Sequence, residues 1–357
     1  MSRDQQVETD GGTESPTRLE NASAEVNRQF EKIRETRRRR AIGWAGLLGF
    51  ILFVLIQGMS ATELLGGDVR LGYFVGSLRE FFPITFVFGF IPFLDVGQYL
   101  AFIRREELLY NPEIGGLLFN WPPQLYTFFF QELGIFSIFG EAGITLAMGV
   151  VGTILGFPIA LMFGVLGSER VTPFPFNFIF RGTMSFIRAI PAIVWTLIFI
   201  PFAGLGPTSA TLAIAFDTIG NLGRLFVDEL EEIEEGSIEA MQTTGANQPQ
   251  IVFFGMLSQV KTSFIAWTLY ILEINVRIAV TVGVVGAGGL GLVVESQRGL
   301  LNFTNMMATL FCIFILIISV ELFSQRLRSR LRSDEEVRSW RELIFGFPNR
   351  MANSMLK

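Results

Sequence analysis

Residues 239–260 read EAMQTTGANQPQIVFFGMLSQV, a polar segment between two apolar stretches of the chain. Glu239 and Ala240 open a run that is long enough for a short helix, and Gly245 follows where glycine commonly ends one. The residues after Gly245 are amphipathic and lead into an apolar segment. A pattern of Glu-Ala, four residues and Gly is common in soluble helices, so its meaning depends on the segments on either side.

Three flanking segments carry further motifs in a fixed order. They are SFIRAIPAIVWTLIFIPFAGLGP at residues 185–207, DTIGNLGRLFVDELEEI at residues 217–233 and LYILEINVRIAVTVGVVGAGGLG at residues 269–291. Together with the polar loop, they resemble the permease of phosphonate-type ABC importers over about residues 141–295. The loop of that family, the EAA loop, reads Glu-Ala-Ala, three residues, Gly, and an amphipathic run that ends in Leu-Pro. This chain departs from the family at Met241 in place of the third residue, at Ser258 in place of proline and at Asp217 where His is common.

The resemblance implies an all-α integral membrane protein with the type I ABC-importer permease fold and about six transmembrane helices. It implies that the loop at residues 228–262 docks on a separate ATP-binding subunit, with Glu239, Ala240 and Gly245 as coupling residues. A separate extracytoplasmic binding protein would deliver the substrate, a phosphonate or a related oxyanion such as phosphite or phosphate. Because one chain offers one docking loop and the ATPase subunits pair, we expect a homodimer.

The composition indicates a membrane protein independently of the resemblance. Half of the residues are hydrophobic, the mean hydropathy is +0.46 and 37 residues are Phe, which is too apolar for a soluble domain. None of the three lysines follows a glycine, so the chain lacks the phosphate-binding loop of an ATPase. His is absent, which excludes His-based catalytic triads, zinc sites and proton relays. We predict a transport subunit with no catalytic residues, metal or cofactor.

The glycine-rich segment at residues 286–291 matches the dinucleotide-binding pattern G-x-G-x-x-G. That pattern requires a short strand before it and an acidic residue about twenty positions later, whereas an apolar span precedes this segment and no acid stands at that position. We interpret Gly283, Gly286, Gly288 and Gly289 as a flexible break at the outer end of a span. Glycine allows the backbone to leave helical geometry where it lines a cavity.

Six apolar segments approach the length of about 20 residues that crosses the hydrocarbon of a bilayer. They lie at residues 41–57, 144–166, 189–205, 211–227, 264–285 and 307–322. Arginines cluster before the first segment, between the second and the third, and after the last. By the positive-inside rule, this distribution predicts a cell-membrane protein with both termini and the loop at 228–262 in the cytoplasm. The cluster Arg37 to Arg40 also suits anionic lipid or nucleic acid; beside an apolar span, we expect contact with membrane lipid and no nucleic-acid partner.

The sequence divides into four regions. Residues 1–40 read as a disordered, basic tail, because the first 33 residues are polar and poor in aromatic side chains. Residues 41–140 hold the first span and an insertion, residues 141–325 the permease core, and residues 326–357 a cytoplasmic tail. The resemblance does not reach about residues 58–115 of the insertion. Its apolar stretches at 82–103 and 117–140 are interrupted by prolines and an acid, so we expect outer-face helices that lie along or dip into the membrane. If both crossed it, the spans would number eight.

Candidate residues for the translocation pathway lie in the fifth apolar segment. Glu273 and Arg277 are four residues apart, so a helix places them on one face. A charge at the centre of a bilayer costs about 2.5–3.5 kcal/mol, so these two pair with one another or face a watery interior. They either fix helix packing or contact substrate. Arg277 suits an oxyanion, because a guanidinium binds two oxygens at once, and Asn275 and Thr281 would add further donors.

Other functions remain as alternatives. An ABC permease for another small anion or polar solute fits the same motifs. An ATPase-independent channel or scaffold would not need the docking loop, and an intramembrane enzyme would need a nucleophile and base that the sequence does not offer.

Overall fold

The computed structural model describes residues 16–62, 71–87, 91–119, 124–131 and 134–331. The chain divides into two units, Met1–Gly72 and Tyr73–Lys357. The helices, numbered in chain order, are α1 (Pro16–Ala61), α2 (Leu71–Phe81), α3 (Val96–Arg105), α4 (Pro112–Phe119), α5 (Gly134–Ser137), α6 (Gly140–Gly167), α7 (Phe176–Ala189), α8 (Ala192–Ala203), α9 (Pro207–Glu231), α10 (Glu235–Thr243), α11 (Gln248–Gln250), α12 (Leu257–Val282), α13 (Gly289–Gly299) and α14 (Phe303–Leu331). Two strands, β1 (Ile84–Val87) and β2 (Ile91–Leu94), and three π-helical segments, Thr127–Gln131, Ile251–Met256 and Gly283–Ala287, complete the described elements.

Five of the described helical segments are long and apolar enough to cross a membrane, and a bent pair makes a sixth. The five are Arg37–Ala61 within α1, α6, α9, the continuous segment Gln248–Ala287 and α14, and the bent pair is α7 with α8. They coincide with the six apolar segments of the sequence, so the prediction of an all-α membrane protein with about six spans is confirmed.

The third predicted span, residues 189–205, is not one straight helix. The chain bends by 93° between α7 and α8. Ile190 has an extended backbone, with φ −101° and ψ 117°, because Pro191 disfavours the helical conformation of the residue before it. α8 has 12 residues and is therefore about 18 Å long, less than the thickness of the hydrocarbon layer. The amphipathic helix α7 lies across the direction of this short helix.

Residues 16–33 of the predicted N-terminal tail form the first part of α1 in the structure. Pro16 stands in the first turn, where its missing N–H costs nothing, and the following segment is rich in Glu, Arg and Ala, which favour helix. Residues 1–15 of the predicted tail and residues 332–357 of the C-terminal tail lie outside the described residues. Residues 326–331 belong to the end of α14.

The insertion differs in part from the outer-face helices expected at residues 82–103 and 117–140. An antiparallel hairpin of β1 and β2 occupies much of the stretch 82–103, and α3 begins only after Asp95, whose carboxylate accepts a hydrogen bond from the backbone N–H of Gln98. The described part of 117–140 contains only short helical segments, so neither stretch forms a span there. Tyr99 donates a hydrogen bond to the Phe81 carbonyl, and burial raises the pKa of its phenol, with a smaller contribution from Asp95, so the donor stays protonated.

The core of the second unit is formed by α6, α9 and α12. Gly156 of α6 approaches the α9 backbone so closely that an added methyl group would lie 2.6 Å from the Ala215 carbonyl oxygen. Small residues of this kind allow membrane helices to pack closely. The buried amide of Asn275 on α12 donates to Thr153 on α6 and to Thr218 on α9, both at 2.8 Å. One polar group therefore connects all three helices, which fixes how each is rotated about its axis.

Candidate functional site

The predicted docking segment forms α10, followed by a glycine turn. Glu239 and Ala240 are exposed on the helix, and Gly245 is exposed with φ 78°, a left-handed conformation that favours glycine. The opposite face of the helix carries Ile238 and Met241, which pack on the hydrophobic cluster formed by the ends of α9 and α12. The helix α10 thus exposes a small polar face, and its apolar face packs against the helices of the core.

Two departures from the family pattern have local explanations in this structure. Met241, which replaces the third residue of the pattern, lies against Gly255, where an added methyl group would collide with the methionine sulfur. A glycine opposite thus makes room for the longer side chain. Ser258, in place of proline, donates through its hydroxyl to the Phe254 carbonyl at 2.6 Å, within helical backbone that a proline would interrupt. The helix α10 therefore packs on the core with both substitutions present.

A cavity of about 540 Å³ opens between α7, α8, α9 and α12. Its lining residues are Arg188, Pro191, Ala192, Ile193, Asp217, Asn221, Leu225, Tyr270, Ile271, Ile274, Ile278, Thr281 and Val282. Most of this wall is apolar, with a small number of polar groups from α7, α9 and α12, which is the usual composition of a small-molecule site. Its position in the middle of the spans suits a translocation pathway.

Three polar groups of the cavity form one interacting set. The Asn221 amide donates to the Asp217 carboxylate at 2.9 Å and to its backbone carbonyl at 3.1 Å. Arg188, at the last turn of α7, attracts the Asp217 carboxylate electrostatically. Asp217 is 8% exposed, so the structure compensates this carboxylate with an amide and a nearby cation. A solute in the cavity meets the Arg188 guanidinium and the Asp217 carboxyl group.

Of the four residues predicted to line the pathway, only Thr281 lies on this cavity. Asn275 is fully buried in the contact between α6, α9 and α12 described above. Glu273 pairs with Arg328 at 2.6 Å, and Arg277 pairs with Glu321 at 3.6 Å.

Both ion-pair partners lie on α14, so the charged face of α12 is turned towards that helix. Sequence reasoning looked for a pair within α12 and missed Arg188, Asp217 and Asn221 as cavity residues. The available signal was a helical spacing: Asp217 and Asn221 are four residues apart and therefore share a face of α9.

The helix break at the end of α12 lies within the glycine-rich segment. The π-helical turn Gly283–Ala287 loses helical geometry at Gly286, with φ 102°, and Gly288 follows with φ 103°. Next to it, the backbone N–H of Leu290 donates to the Thr145 hydroxyl of α6 at 2.9 Å. The chain can therefore reverse direction here and begin α13 without leaving its first buried N–H groups unpaired. Among the described residues, no group of three Cys, Asp or Glu side chains is arranged to hold a metal ion.

Comparison with known proteins identifies the family. Residues 152–333, just over half of the chain, match the family described as the binding-protein-dependent transport system inner membrane component. The chain is 32% identical over 224 residues to the phosphate-import permease protein PhnE of Mycolicibacterium smegmatis, covering 59% of this chain and 42% of that protein. It is 28% identical over 263 residues to the phosphite transport system permease protein PtxC of Stutzerimonas stutzeri, covering 73% of this chain and 93% of that protein.

A solved structure of the MetNI methionine ABC transporter, in an inward-facing conformation, has a chain that aligns with a TM-score of 0.49 and 26% identity, covering 53% of this chain and 93% of that one. The family assignment rests on the sequence match, which includes α9, α10 and α12. This chain belongs to the family of binding-protein-dependent transport system inner membrane components.

Proposed function

We propose that this chain is the permease of an ABC importer that carries a phosphorus oxyanion, namely a phosphonate, phosphite or phosphate, into the cell. The proposal is supported by relatives named for phosphate import and phosphite transport. The observation that carries it is the cavity between α7, α9 and α12, which offers the Arg188 guanidinium, the Asn221 amide and the Thr281 hydroxyl in an otherwise apolar wall. A guanidinium matches the geometry of phosphoryl oxygens.

The cavity chemistry suits passage of an anion better than its retention. A bare oxyanion in hydrocarbon is prohibitively costly, so the pathway must supply donors. It must also release the anion inward, which excludes a tight site. Asp217 next to Arg188 provides this balance, because its carboxylate competes with the substrate for the guanidinium. Selectivity then lies mainly with the separate binding protein, and the permease provides a weak site along the way.

ATP hydrolysis is assigned to a separate subunit that docks on α10. The exposed residues Glu239, Ala240 and Gly245 form the contact surface, and the packed residues beneath transmit its movement to α9 and α12 as a rigid-body shift. In this arrangement the docking loop and both termini are cytoplasmic, and a binding protein delivers substrate to the opposite side.

A second copy of the chain completes the pathway in this proposal. One chain has one α10, whereas a pair of ATPase subunits offers two docking sites, and a two-fold dimer satisfies both. The apolar residues Leu197, Ile198 and Phe202 of α8, which follow the cavity residues along the chain, are more than half exposed in the single chain. They suit contact with a partner copy or with lipid.

A second candidate substrate is a polar solute that carries a positive group. The observation that favours it is Asp217, a carboxylate in the cavity at the position where phosphonate permeases commonly carry His. Uptake of a panel that includes phosphite, methylphosphonate and a cationic solute of similar size separates the two candidates.

The central test compares two arginines in a strain that depends on this transporter for phosphorus. Arg188→Gln removes the cavity cation, and loss of one charged hydrogen bond of about 1.5–3 kcal/mol lowers uptake of phosphite roughly 10- to 150-fold. Arg277→Gln is the matched control, because Arg277 is half exposed and pairs with Glu321 outside the cavity lining. Its effect should stay below about fivefold. The opposite order of effects would make Arg277 the substrate contact and overturn the cavity assignment.

A further inference from the structure

A group of polar contacts ties together α6, α7 and α9 at the end of the bundle where α10 lies. The Arg181 guanidinium of α7 pairs with the Glu231 carboxylate in the last turn of α9, and its Nε donates to the Gly167 carbonyl at the end of α6 at 2.7 Å. Arg170 donates to the Glu231 carbonyl at 2.7 Å, and the Glu169 N–H donates to the Glu231 carboxylate at 3.3 Å. We call these five residues the α6–α7–α9 clamp.

The clamp is more enclosed than the surface ion pairs of the chain. The side chains of Arg181 and Glu231 are 21% and 32% exposed, and each has at least two partners in the clamp. These partners hold the Arg181 guanidinium in one position, whereas an exposed guanidinium samples many. An ion pair held in this way resists displacement.

The clamp lies between the docking helix and the cavity. Glu231 stands four residues before the first residue of α10, and Leu230 and Ile233 beside it belong to the hydrophobic cluster on which α10 packs. On the other side, Arg181 stands seven residues, or two helical turns, before Arg188, which lines the cavity. A movement of α10 reaches α9 directly and reaches α7 through Arg181.

Close packing continues the contact between α7 and α9 from the clamp to the cavity. An added methyl group at Gly223 of α9 would lie 2.6 Å from the Met184 sulfur of α7, and one at Gly220 would lie 3.0 Å from the Arg188 backbone nitrogen. The two helices thus touch along the whole length that separates Arg181 from Arg188. Contact of this closeness transmits a displacement without slack.

We infer that the clamp makes α7 move together with α9, so that closure of the ATPase subunits carries Arg188 along with α9 and α12 as one body. This inference rests on the proposed function. It assigns Arg181 and Glu231 as positioning residues for transport: they touch neither substrate nor ATPase and act through the helices that they join.

The first test is the ratio of ATP hydrolysed to phosphite imported, measured with the complete transporter in proteoliposomes. Arg181→Gln removes the ion pair, and loss of one charged hydrogen bond raises this ratio about tenfold, with ATP hydrolysis retained. Arg181→Lys keeps the charge and brings the ratio most of the way back. Glu169→Gln is the control, because it keeps the backbone N–H that Glu169 contributes to the clamp and changes only its carboxylate. That carboxylate lies 3.6 Å from Arg181 and its side chain is 69% exposed, so the ratio should stay unchanged. A wild-type ratio in Arg181→Gln, whether its total activity is high or low, overturns the inference.

The second test locks the two helices together. Arg181→Cys and Glu231→Cys are combined in a Cys312→Ser background. A short bis-methanethiosulfonate reagent, which takes the place of the two longer side chains, joins the cysteines through reducible disulfide bonds. If α7 and α9 move as one body, the joined protein imports phosphite with the wild-type ratio, and reduction of the link returns it to the uncoupled state. If joining the helices stops import, they separate during the cycle and the inference is wrong.

A readout without transported substrate distinguishes failure of this inference from failure of the proposed function. If the wild-type transporter imports no phosphite, phosphate or methylphosphonate, the substrate assignment is wrong. That result does not bear on the clamp. A link placed beside the intact clamp, between Met184→Cys of α7 and Gly223→Cys of α9 in the Cys312→Ser background, still tests the clamp through its yield with and without a non-hydrolysable ATP analogue. An unchanged yield supports a rigid pair, and a yield that falls on nucleotide binding overturns it.

Discussion

We predict that removal of Arg328 is among the more destabilising single changes at the contact between α12 and α14. The side chain of Glu273 is 9% exposed and that of Arg328 is 27% exposed, and the two pair at 2.6 Å. Arg328→Ala leaves the carboxylate without its cation. Breaking a buried pair from one side costs about 3–5 kcal/mol, because an uncompensated charge remains.

Two features of the site limit the loss of stability in Arg328→Ala. A glutamate of ordinary pKa can be protonated at pH 7 for about 4 kcal/mol, so the penalty for an unpaired carboxylate cannot exceed that amount. Arg328 also lies in the last turn of α14, where water at the end of the helix can reach the gap. We therefore expect Arg328→Ala to lower the free energy of unfolding by about 2–4 kcal/mol.

The neighbouring ion pair is the matched control. Arg277 and Glu321 are 48% and 42% exposed and pair at 3.6 Å between the same two helices, so Glu321→Ala should cost less than about 1 kcal/mol. The assay is reversible unfolding in mixed micelles, followed by tryptophan fluorescence. A double change, Glu273→Met with Arg328→Leu, removes both charges and should restore most of the stability. Equal losses for Arg328→Ala and Glu321→Ala, or no recovery in the double variant, would show that the pair does not compensate a buried charge.

Three further predictions concern coupling, packing and orientation. Gly245→Val places a β-branched residue at a left-handed backbone position, so uptake should fall severely while the protein still inserts; normal uptake with normal stimulation of ATP hydrolysis would exclude α10 as the docking site. Gly291→Ala places a methyl group against a carbonyl oxygen of α12 and should cost about 1–3 kcal/mol of stability, whereas Gly236→Ala, with open space around it, should cost almost nothing; similar stabilities of the two variants would contradict the packing. Ser237→Cys in a Cys312→Ser background should resist an impermeant thiol reagent added to sealed cells, and strong labelling from outside would overturn the proposed orientation.

Local features of the sequence were sufficient for the family and for the number of spans. Apolar length decides whether a helix can cross a membrane, and this length is visible in the chain without any contact information. The helix α10 and its glycine turn were likewise readable, because a helical run that ends in glycine depends on only a few neighbouring residues. The proline at position 191 indicates a bend in principle. The apolar segment continues through it, however, so hydropathy predicted one span where the structure has two helices.

The insertion shows where local reasoning failed. We expected helices in its apolar stretches. Instead, Ile84–Val87 and Ile91–Leu94 pair as strands, with Ile84 opposite Leu94. The hydrogen bonds of a strand are made with another segment, so propensity within each stretch does not decide the outcome.

The roles of the polar residues in the spans were decided only by the tertiary structure. The sequence placed Glu273 and Arg277 on one face of α12, as helical spacing requires, but Arg328 and Glu321 lie 55 and 44 positions further along the chain. A helix specifies which residues share a face, whereas the neighbour of that face depends on how the helix is rotated in the bundle. Close packing at glycines and the buried hydrogen bonds of Asn275 set that rotation, which turns the charges of α12 towards α14 and leaves Thr281 on the cavity.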